Sequence, residues 1–520
     1  MSAALPAAEE PIPTRHVVAF VCMVFGMFMA ILDIQIVSAS LSEIQAGLSS
    51  SNDEISWVQT SYLIAEVVMI PLSGFLSRAF STRWLFTFAC AGFTMMSFLC
   101  ATASSIEEMI VYRALQGFIG GGMIPTVFAT AYTVFPRSKQ HVISPVIGLV
   151  ATLAPTIGPT VGGYLTELFS WHWLFLVNIV PGILVSFAAV TLIDFDEPEL
   201  SLLERFDWSG LIFMAGFLGS LEFVLEEGPG NDWFEDDTIL FFAVLAIISG
   251  AGFFWRAFAA AVPVVDLRSF ANRNFATGSA FSFVMGIGLY GLTYLYPVYL
   301  SRIREYSALM IGETMFVTGL CMFFTAPIAG RLSRKLDPRL MIAIGFIGFG
   351  LGTWEASKIT AEWDFWELFL PQVLRGVSLM LCMVPITNLS LGTLPPQTIK
   401  NASGLFNVTR NFGGAVGLAI INTVLNDRTD LHLLRLREHV TWGSSVAEDT
   451  LGKISSGLAS LGSLADGAAL KQVAGMVRRE ATVMAFGDVF YLMTGLFLLL
   501  VLATPLMRRP QAAGGGGGGH

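Results

Sequence analysis

The sequence contains few charged residues. Asp, Glu, Lys and Arg account for 13% of its 520 residues, about half of the roughly 25% found in a typical soluble domain. Apolar residue types account for 54% of the chain, and the mean hydropathy is +0.67. A soluble fold could not bury so many apolar side chains, so we expect a protein that is embedded in lipid. The net charge of −10, without a basic stripe, argues against a nucleic-acid partner.

Cysteine and the common catalytic motifs are also scarce. The five cysteines are scattered through apolar stretches without CxxC spacing, so we interpret them as packing residues rather than disulfide partners or metal ligands. The sequence has no GxxxxGKS or GxxxxGKT motif, which argues against an ATP-binding loop. It has no HExxH zinc motif and no GxSxG nucleophile motif. We therefore expect a protein that is not an enzyme and that uses no metal or other cofactor.

Fourteen apolar runs account for most of the chain. Each is long enough for the roughly 20 helical residues that cross about 30 Å of hydrocarbon. The runs lack the alternating pattern of a membrane barrel strand, so we predict an all-α integral membrane fold. They form a group of six (16–38, 54–77, 84–103, 108–131, 141–166 and 173–193), an inserted pair (208–226 and 238–258) and a second group of six (274–300, 309–331, 339–357, 366–393, 401–426 and 482–507).

This order predicts two six-helix bundles separated by two inserted helices. We assign 1–15 to a disordered N-terminus, 16–194 to the N-terminal bundle, 195–270 to the inserted helices and their linkers, 271–508 to the C-terminal bundle and 509–520 to a flexible tail. An even number of spans puts both termini on one side of the membrane. Arg and Lys concentrate in the short loops of that side, so the positive-inside rule predicts cytoplasmic termini. The long segment 427–481, which belongs to the C-terminal bundle, then faces outward.

Several short motifs occur twice at a nearly constant spacing. PLSGFLSR at 71–78 matches PIAGRLSR at 327–334, RALQG at 113–117 matches QVLRG at 372–376, and GPTVG at 158–162 matches GGAVG at 413–417. The offsets lie between 255 and 259 residues, which indicates a duplicated six-helix unit. Paired bundles of this kind suit alternating access around a site near the membrane midplane. The loops of the first motif pair would latch the bundles together on the cytoplasmic side, and the candidate latch residues are Gly74, Arg78, Gly330, Arg334, Asp337 and Arg339.

The same motifs carry a resemblance to a known family. The loops at 74–78 and 330–339 resemble the loop signature of the major facilitator superfamily, although Arg78 stands where the signature has Asp. ILDIQIVSASL at 31–41, RALQGFIGGG at 113–122 and APTIGPTVGG at 154–163 resemble motifs of its 14-span drug:proton antiporters. Further matches to the EmrB-like multidrug efflux permeases are SWHWLFLVN from Ser170, LPPQ from Leu394 and NVTR from Asn407.

The resemblance implies a function and a location. It implies a 14-helix carrier of the bacterial inner membrane that exports hydrophobic or amphipathic compounds in exchange for protons. It also implies a periplasmic adaptor of the membrane-fusion type and an outer-membrane channel, for which segment 427–481 would be the natural contact. Two alternatives stay open: a dedicated proton-coupled carrier for a single metabolite, and a membrane receptor or scaffold that does not transport.

The antiporter motif lies in the fifth predicted span. Gly158, Pro159, Gly162 and Gly163 are spaced so that they share one helix face, where glycine lets two backbones touch. Pro159, like Pro155 before it, removes a backbone donor and bends the helix. The resemblance implies a gating helix that prevents leakage, and tight structural packing is the alternative.

Three ionisable residues within the spans are candidates for proton coupling. Asp33 and Arg113 lie at similar depths in spans 1 and 4, so we expect them to meet in the outer third of the membrane. Breaking that contact as the bundles rock would change the proton affinity of Asp33, whereas a fixed salt bridge is the alternative. Glu66, near the middle of span 2, is either a second proton carrier or cation contact, or a carboxyl kept neutral by a hydrogen bond.

Polar residues of the later spans are candidates for the substrate cavity. Asn407, Arg410 and Asn411 share one helix face, which fits either substrate contact or bonding between helices. Arg375 occupies the position in the second repeat that Gln116 occupies in the first. Glu222 lies in an inserted span, and we expect it to be structural and outside the main cavity.

Overall fold

The computed structural model describes residues 12–38, 40–441, 443–458, 460 and 464–508. These residues form α-helices joined by short loops and 3-10 turns, and no strand occurs among them. The predicted all-α fold is therefore confirmed. Most of the predicted disordered segment 1–15, and all of the predicted tail 509–520, lie outside the described residues.

The helices follow one another with few long connections. The first part of the chain contains α1 (Thr14–Ser38), α2 (Leu41–Leu48), α3 (Asn52–Ala79), α4 (Ser81–Ala101), α5 (Ile106–Gly120), α6 (Met123–Thr133), α7 (Gln140–Leu168), α8 (Trp173–Leu176) and α9 (Ile179–Leu192). The inserted pair is α10 (Trp208–Glu227) and α11 (Asp237–Ala259). The last part contains α12 (Arg273–Arg302), α13 (Ala308–Leu332), α14 (Pro338–Ala356), α15 (Phe365–Leu391), α16 (Pro396–Arg437), α17 (Ser445–Gly457) and α18 (Ala465–Ala503).

Local sequence explains where many of these helices begin. A Ser, Asp or Asn stands immediately before the first turn, and its side chain accepts a hydrogen bond from a backbone N–H that has no partner within the helix. At α3 the cap is reciprocal, because Glu54 also accepts from the backbone N–H of Ser51, at 2.9 Å. The capping residues are Ser51, Ser105, Asp207, Asp236, Asn272, Ser307, Asp337 and Asp364.

Twelve helices of the described chain are long and apolar enough to cross a membrane. They include both inserted helices. Helices α5 and α6 count together as one span, and so do α8 and α9. Helices α14 and α16 coincide with the two remaining apolar runs but are not among the twelve. The chain is thus a multi-span membrane protein, and the total of fourteen spans stays a prediction.

The helices pack as two bundles with a pair between them. In the first bundle α1 packs against α7 and α9, α3 against α5, and α4 against α5 and α9. In the second, α12 packs against α15 and α16, α14 against α15 and α18, and α13 against α15. The bundles meet along α7 with α13 and along α3 and α6 with α16. The inserted helices pack on each other, and α10 also contacts α3 and α16, so it touches both bundles.

The duplicated glycine motif brings equivalent helices together in each bundle. A Cβ atom at Gly158 would lie 2.3 Å from the Cβ of Gln35 on α1, and one at Gly162 would lie 2.8 Å from a carbonyl of the same helix. In the second bundle, a Cβ at Gly413 would lie 1.8 Å from the carbonyl oxygen of Phe283 on α12. Only glycine permits these approaches. The repeat seen in the sequence is therefore a repeat of helix packing.

Helices α16 and α18 are longer than a membrane is thick. The 42 residues of α16 extend about 63 Å at 1.5 Å per residue, about twice the hydrocarbon thickness. His432 Nε2 of α16 lies 2.9 Å from Asp488 Oδ2 of α18, which ties the two helices beyond the apolar run. The predicted span 401–426 thus continues as helix well into segment 427–481, where α17 follows.

Candidate functional site

One face of the molecule is closed by contacts between the bundles. We define the basic face as the side at which α1 and α12 begin and α3 and α9 end. Arg15 of α1 donates to the carbonyl of Thr191, 2.8 Å away, and Asn274 of α12 donates to the carbonyl of Arg508, 3.1 Å away. Both ends of the described chain therefore lie at this face. Its assignment to the cytoplasm stays a prediction.

Two glycines of the duplicated loop motif permit the closure. A Cβ atom at Gly74 would lie 2.8 Å from the Cα of Asn401 at the start of α16. A Cβ at Gly330, the equivalent residue of α13, would lie 2.2 Å from the carbonyl oxygen of His141 on α7. Each glycine lets a helix of one bundle touch the backbone of the other. Ser403 Oγ adds a hydrogen bond across the same interface to the carbonyl of Pro125, at 2.9 Å.

An ion pair that the sequence analysis did not identify reinforces this closure. Lys400 of α16 pairs with Asp196, which lies in the connection between α9 and α10. Lys400 Nζ also donates to the carbonyl of Ser77, at 3.1 Å. Asp196 accepts from the backbone N–H of Thr82 at the start of α4, at 3.0 Å. Asp196 is thus an acidic residue of the connection after the first bundle that pairs with a lysine of the second.

The other predicted latch residues lie at or near the basic face in different surroundings. Arg78 is half-buried, with its guanidinium 5.9 Å from the ring centroid of Phe75 on the same helix. Asp337 caps α14 by accepting from the backbone N–H of Arg339, at 3.1 Å. Arg334 is exposed at the basic face. The latch role of these residues stays a prediction.

A cavity separates the bundles on the opposite side. It has a volume of about 410 Å³ and reaches from Tyr290 and Leu418 toward the ends of α1 and α12, at Ser38 and Arg302. Its walls come from both bundles and from α10. Pro159 of the antiporter motif also lines it. The arrangement is closed at the basic face and hollow toward the far face.

Asp33 and Arg113 meet in the interior of the N-terminal bundle, as their depths predicted. Arg113 Nη1 lies 2.6 Å from Asp33 Oδ2, and both side chains are 0% exposed. The other carboxylate oxygen, Oδ1, accepts from Asn178 Nδ2 at 2.7 Å and from Gln116 Nε2 at 3.3 Å. Both Asp33 oxygens therefore have donors, as a buried carboxylate requires.

The same network fixes Arg113. Its Nε donates to the carbonyl of Val58 at 3.2 Å, and its guanidinium carbon lies 4.2 Å from the ring centroid of Tyr62. A second bond from Nη1 goes to Gln116 Oε1, at 2.8 Å. Arg113 thus links α1, α3 and α5 around one buried charge pair. The geometry fits both a fixed salt bridge and an ion pair that opens when the bundles move, so the proton-coupling role stays a prediction.

Glu66 faces the interface between the bundles rather than this network. It is 3% exposed and lines a smaller cavity of about 60 Å³ that shares Leu63, Glu226 and Tyr290 with the larger one. Glu222 of the inserted helix α10 lines the same small cavity but is not among the residues that line the large one. It lies at the bundle interface because α10 packs against α3 and α16, and its expected structural role stays a prediction.

The polar face of α16 is divided between two environments. Arg410 Nη2 donates to Asn407 Oδ1 of the same helix at 2.8 Å, and its guanidinium lies 5.5 Å from the ring centroid of Phe128 in the other bundle. Asn411 lines the small cavity and accepts from Tyr290 Oη at 3.4 Å. Arg375 donates to Thr293 Oγ1 at 2.5 Å, and it is Thr293 that lines the large cavity.

The antiporter motif has a packing side and a cavity side. Gly158 and Gly162 face α1, whereas Pro159 faces the large cavity. Helix α7 remains continuous through Pro155 and Pro159. The motif therefore packs a donor-poor stretch of α7 against α1 and presents Pro159 to the cavity. Gly163 lies in the same turn and is buried.

The sequence profile of the Major Facilitator Superfamily matches residues 23–418, which is most of the chain. The chain belongs to the major facilitator superfamily. Within that superfamily it is 40% identical over 503 residues to the colistin resistance protein EmrB of Acinetobacter baumannii, and the match covers 96% of this chain and 98% of the relative. It is 28% identical to the multidrug export protein EmrB of Escherichia coli, with 93% and 94% of the two chains covered. The predicted EmrB-like resemblance is therefore confirmed.

Solved structures of the superfamily share the fold. The human organic anion transporter MFSD10 superposes with a TM-score of 0.58 at 13% identity, and the match covers 93% of this chain and 99% of that one. A bacterial homologue of the lysosomal transporter Spinster gives a TM-score of 0.54, also at 13% identity, with 97% and 100% covered. These likenesses confirm the major-facilitator fold.

Proposed function

We propose that the protein is a secondary transporter that exports hydrophobic or amphipathic compounds across the bacterial inner membrane in exchange for protons. The observation that carries the proposal is the cavity between the two bundles, which is closed at the basic face and walled by apolar, aromatic and polar side chains in comparable numbers. Such a cavity can hold an amphipathic compound, with its apolar body and its polar groups on different walls. The relatives named for multidrug export and colistin resistance support export as the direction of transport.

In this proposal the basic face is cytoplasmic and the cavity faces outward. Residues 16–194 and 271–508 are the rocking bundles, and 195–270 is the insertion between them. Gly74 and Gly330 with their loops form the cytoplasmic latch, and the motif of α7 keeps the empty carrier from leaking. Closing the cavity and opening the basic face would release a proton inward and admit the next substrate.

We propose separate roles for the two carboxyls of the first bundle. Glu66 lines a cavity between the bundles, so it can exchange protons with the outer side. Asp33 is sealed against Arg113, so it can take a proton only when α1 moves relative to α5. The coupled step is the breaking of that ion pair, because an unpaired charge so deep in the membrane favours the neutral form.

The proposal is tested by proton release from proteoliposomes in which the basic face points outward. Adding any of several unrelated lipophilic compounds should release protons into the medium, and Asp33→Asn should abolish the release. Glu235→Gln, which removes an exposed carboxylate from the loop between α10 and α11, is the matched control. Release that persists in Asp33→Asn would exclude Asp33 as the coupling residue. A response to one compound alone would favour a dedicated metabolite carrier, and no response in folded protein would favour a receptor or scaffold.

The long helical segment 427–481 suggests a protein partner. We propose that the extension formed by α17 and the outer parts of α16 and α18 binds a periplasmic adaptor of the membrane-fusion type, which would connect the carrier to an outer-membrane channel. Replacing residues 438–464 with a short Gly-Ser linker should abolish co-purification with a co-expressed adaptor. Transport in proteoliposomes should survive, because the bundles keep their contacts. Unchanged adaptor binding by the shortened chain would contradict this role.

A further inference from the structure

The small cavity between α3, α10 and α16 contains an unusual set of side chains. Glu66 of α3 and Glu222 of α10 are 3% and 6% exposed, and both line it together with Glu226 one turn further along α10. Within the part of the chain that the structure describes, none of these three side chains makes a hydrogen bond or an ion pair. Their neighbour Glu227 differs, because it accepts from Thr60 Oγ1 at 2.9 Å.

Unpaired carboxyls at this depth need compensation. Burying a carboxylate without a partner is costly, and the cost falls when a cation lies against it. The charged groups that act on Glu66 are Arg113, Arg410 and Asp33. Of these, Asp33 and Arg113 are already paired with each other. Arg410 donates from Nη2 to an asparagine on its own helix, and its Nε and Nη1 have no hydrogen-bond partner among the described residues. None of these cations makes a hydrogen bond or an ion pair with the three carboxyls, so one nearby guanidinium faces a cavity with three unpaired carboxyls.

Apart from Asn411, the rest of the cavity is apolar and aromatic. Its walls include Ile34, Leu63, Val67, Leu418 and the ring of Tyr290. The cavity shares five lining residues with the 410 Å³ cavity that extends to the far face. A compound in the larger cavity can thus extend a small polar group into the smaller one while its apolar body remains outside. An ammonium group supplies three donors and a positive charge, which is what the carboxyls lack.

We propose that Glu222 and Glu226 of the inserted helix α10, together with Glu66, form a subsite for the protonated amine of an amphipathic substrate. The inserted helix is then a wall of the substrate site that determines specificity, and not a spacer between the bundles. This inference rests on the proposed transport function for its purpose, but binding to the subsite can be measured without transport.

The test compares two probes that differ in one charge. The full-length protein in lipid nanodiscs is titrated with N-dansyl-1,8-diaminooctane and with its N-acetyl derivative, and dansyl fluorescence reports binding. The amine should bind about tenfold or more tightly than the neutral amide, as expected for a charge-assisted contact in an enclosed site. Glu222→Gln combined with Glu226→Gln should remove the difference, whereas Glu235→Gln should retain it.

Two results would overturn the proposal. One is equal affinity of the wild-type protein for the two probes, and the other is a full preference for the amine in the double variant. If the double variant does not fold, labelling of wild-type protein with dicyclohexylcarbodiimide replaces it: the amine should protect Glu222 and Glu226 from modification, as mapped by mass spectrometry, and the amide should not. Amine binding without transport of any compound would contradict only the proposed function. Transport without amine preference would contradict only the subsite.

Discussion

The ion pair between Asp196 and Lys400 should decide how firmly the basic face stays closed. The two side chains are 20% and 16% exposed, so the pair lies between an exposed salt bridge worth about 0–1 kcal/mol and a buried one whose disruption costs about 3–5 kcal/mol. We take about 2 kcal/mol for its loss, which corresponds to a change of about 30-fold in the ratio of closed to open forms. Asp196→Asn should therefore convert a small open population into one that is comparable with the closed form.

Spin labels on opposite bundles can measure that population. Lys139, before α7, and Lys335, after α13, are both exposed at the basic face. Nitroxides at these positions, in a background without the native cysteines, should give one short distance in the parent protein. Asp196→Asn should add a longer distance. Lys400→Gln should have the same effect, because it removes the other partner of the same bond.

Controls separate the bond from a general loss of charge. Asp194→Asn removes a carboxylate two residues away, whose partner Arg15 belongs to the same bundle, at 3.3 Å. It should leave the distance distribution unchanged. The double variant of Asp196 and Lys400 should open the face no further than either single variant, since the two residues share one interaction. Identical distributions for the parent and Asp196→Asn would refute the assigned role.

Two further predictions concern stability, measured as the thermal unfolding temperature in detergent. Gly413→Ala should lower this temperature clearly, because the new Cβ would lie 1.8 Å from the Phe283 carbonyl oxygen. The control Gly452→Ala should leave the temperature unchanged or raise it, because nothing lies within 4 Å of a Cβ at that position. Equal effects of the two substitutions would refute the packing argument. Asp33→Asn should lower the free energy of unfolding by about 3–5 kcal/mol, because it leaves Arg113 buried without an anion. The double variant of Asp33→Asn with Arg113→Met should be more stable than Asp33→Asn alone. A double variant that is less stable would contradict this reasoning.

The sequence predicted those features that depend on local composition. Long apolar runs predicted most of the spanning helices to within a few residues at each end, with α16 and α18 as the exceptions, because in lipid the backbone polar groups can bond only to one another. The repeated glycines of α7 and α16 predicted close helix packing, because a glycine face lets two membrane helices approach until their backbones touch. The contact between Asp33 and Arg113 followed from depth alone. Two charges in neighbouring spans at one level have a strong reason to pair.

Features that depend on how distant segments meet were not predictable in the same way. Asp196 lies in a loop with no motif, and only the fold brings it to Lys400, about two hundred positions later. The sequence also gave no boundary for α16, because the helix continues after its apolar run ends at 426 and is held there by the contact of His432 with Asp488. For Glu222 a signal existed. Glu222 and Glu226 lie four residues apart, on one face of an apolar helix, which already indicated a polar environment on that face.

The position of α10 constrains how the bundles can move. Glu227 at its end accepts from Thr60 of α3, and Trp233 just beyond it donates to Thr423 Oγ1 of α16 at 3.0 Å. One bond holds the insertion to the first bundle and the other holds it to the second. Rocking that changes the distance between α3 and α16 must therefore break at least one of them. The carboxyls of α10 would then move with the bundle that keeps its bond, and their distance from Glu66 would depend on which bundle that is. Because the insertion is bound to both bundles, the carboxyls that line the small cavity would change when the bundles move relative to each other.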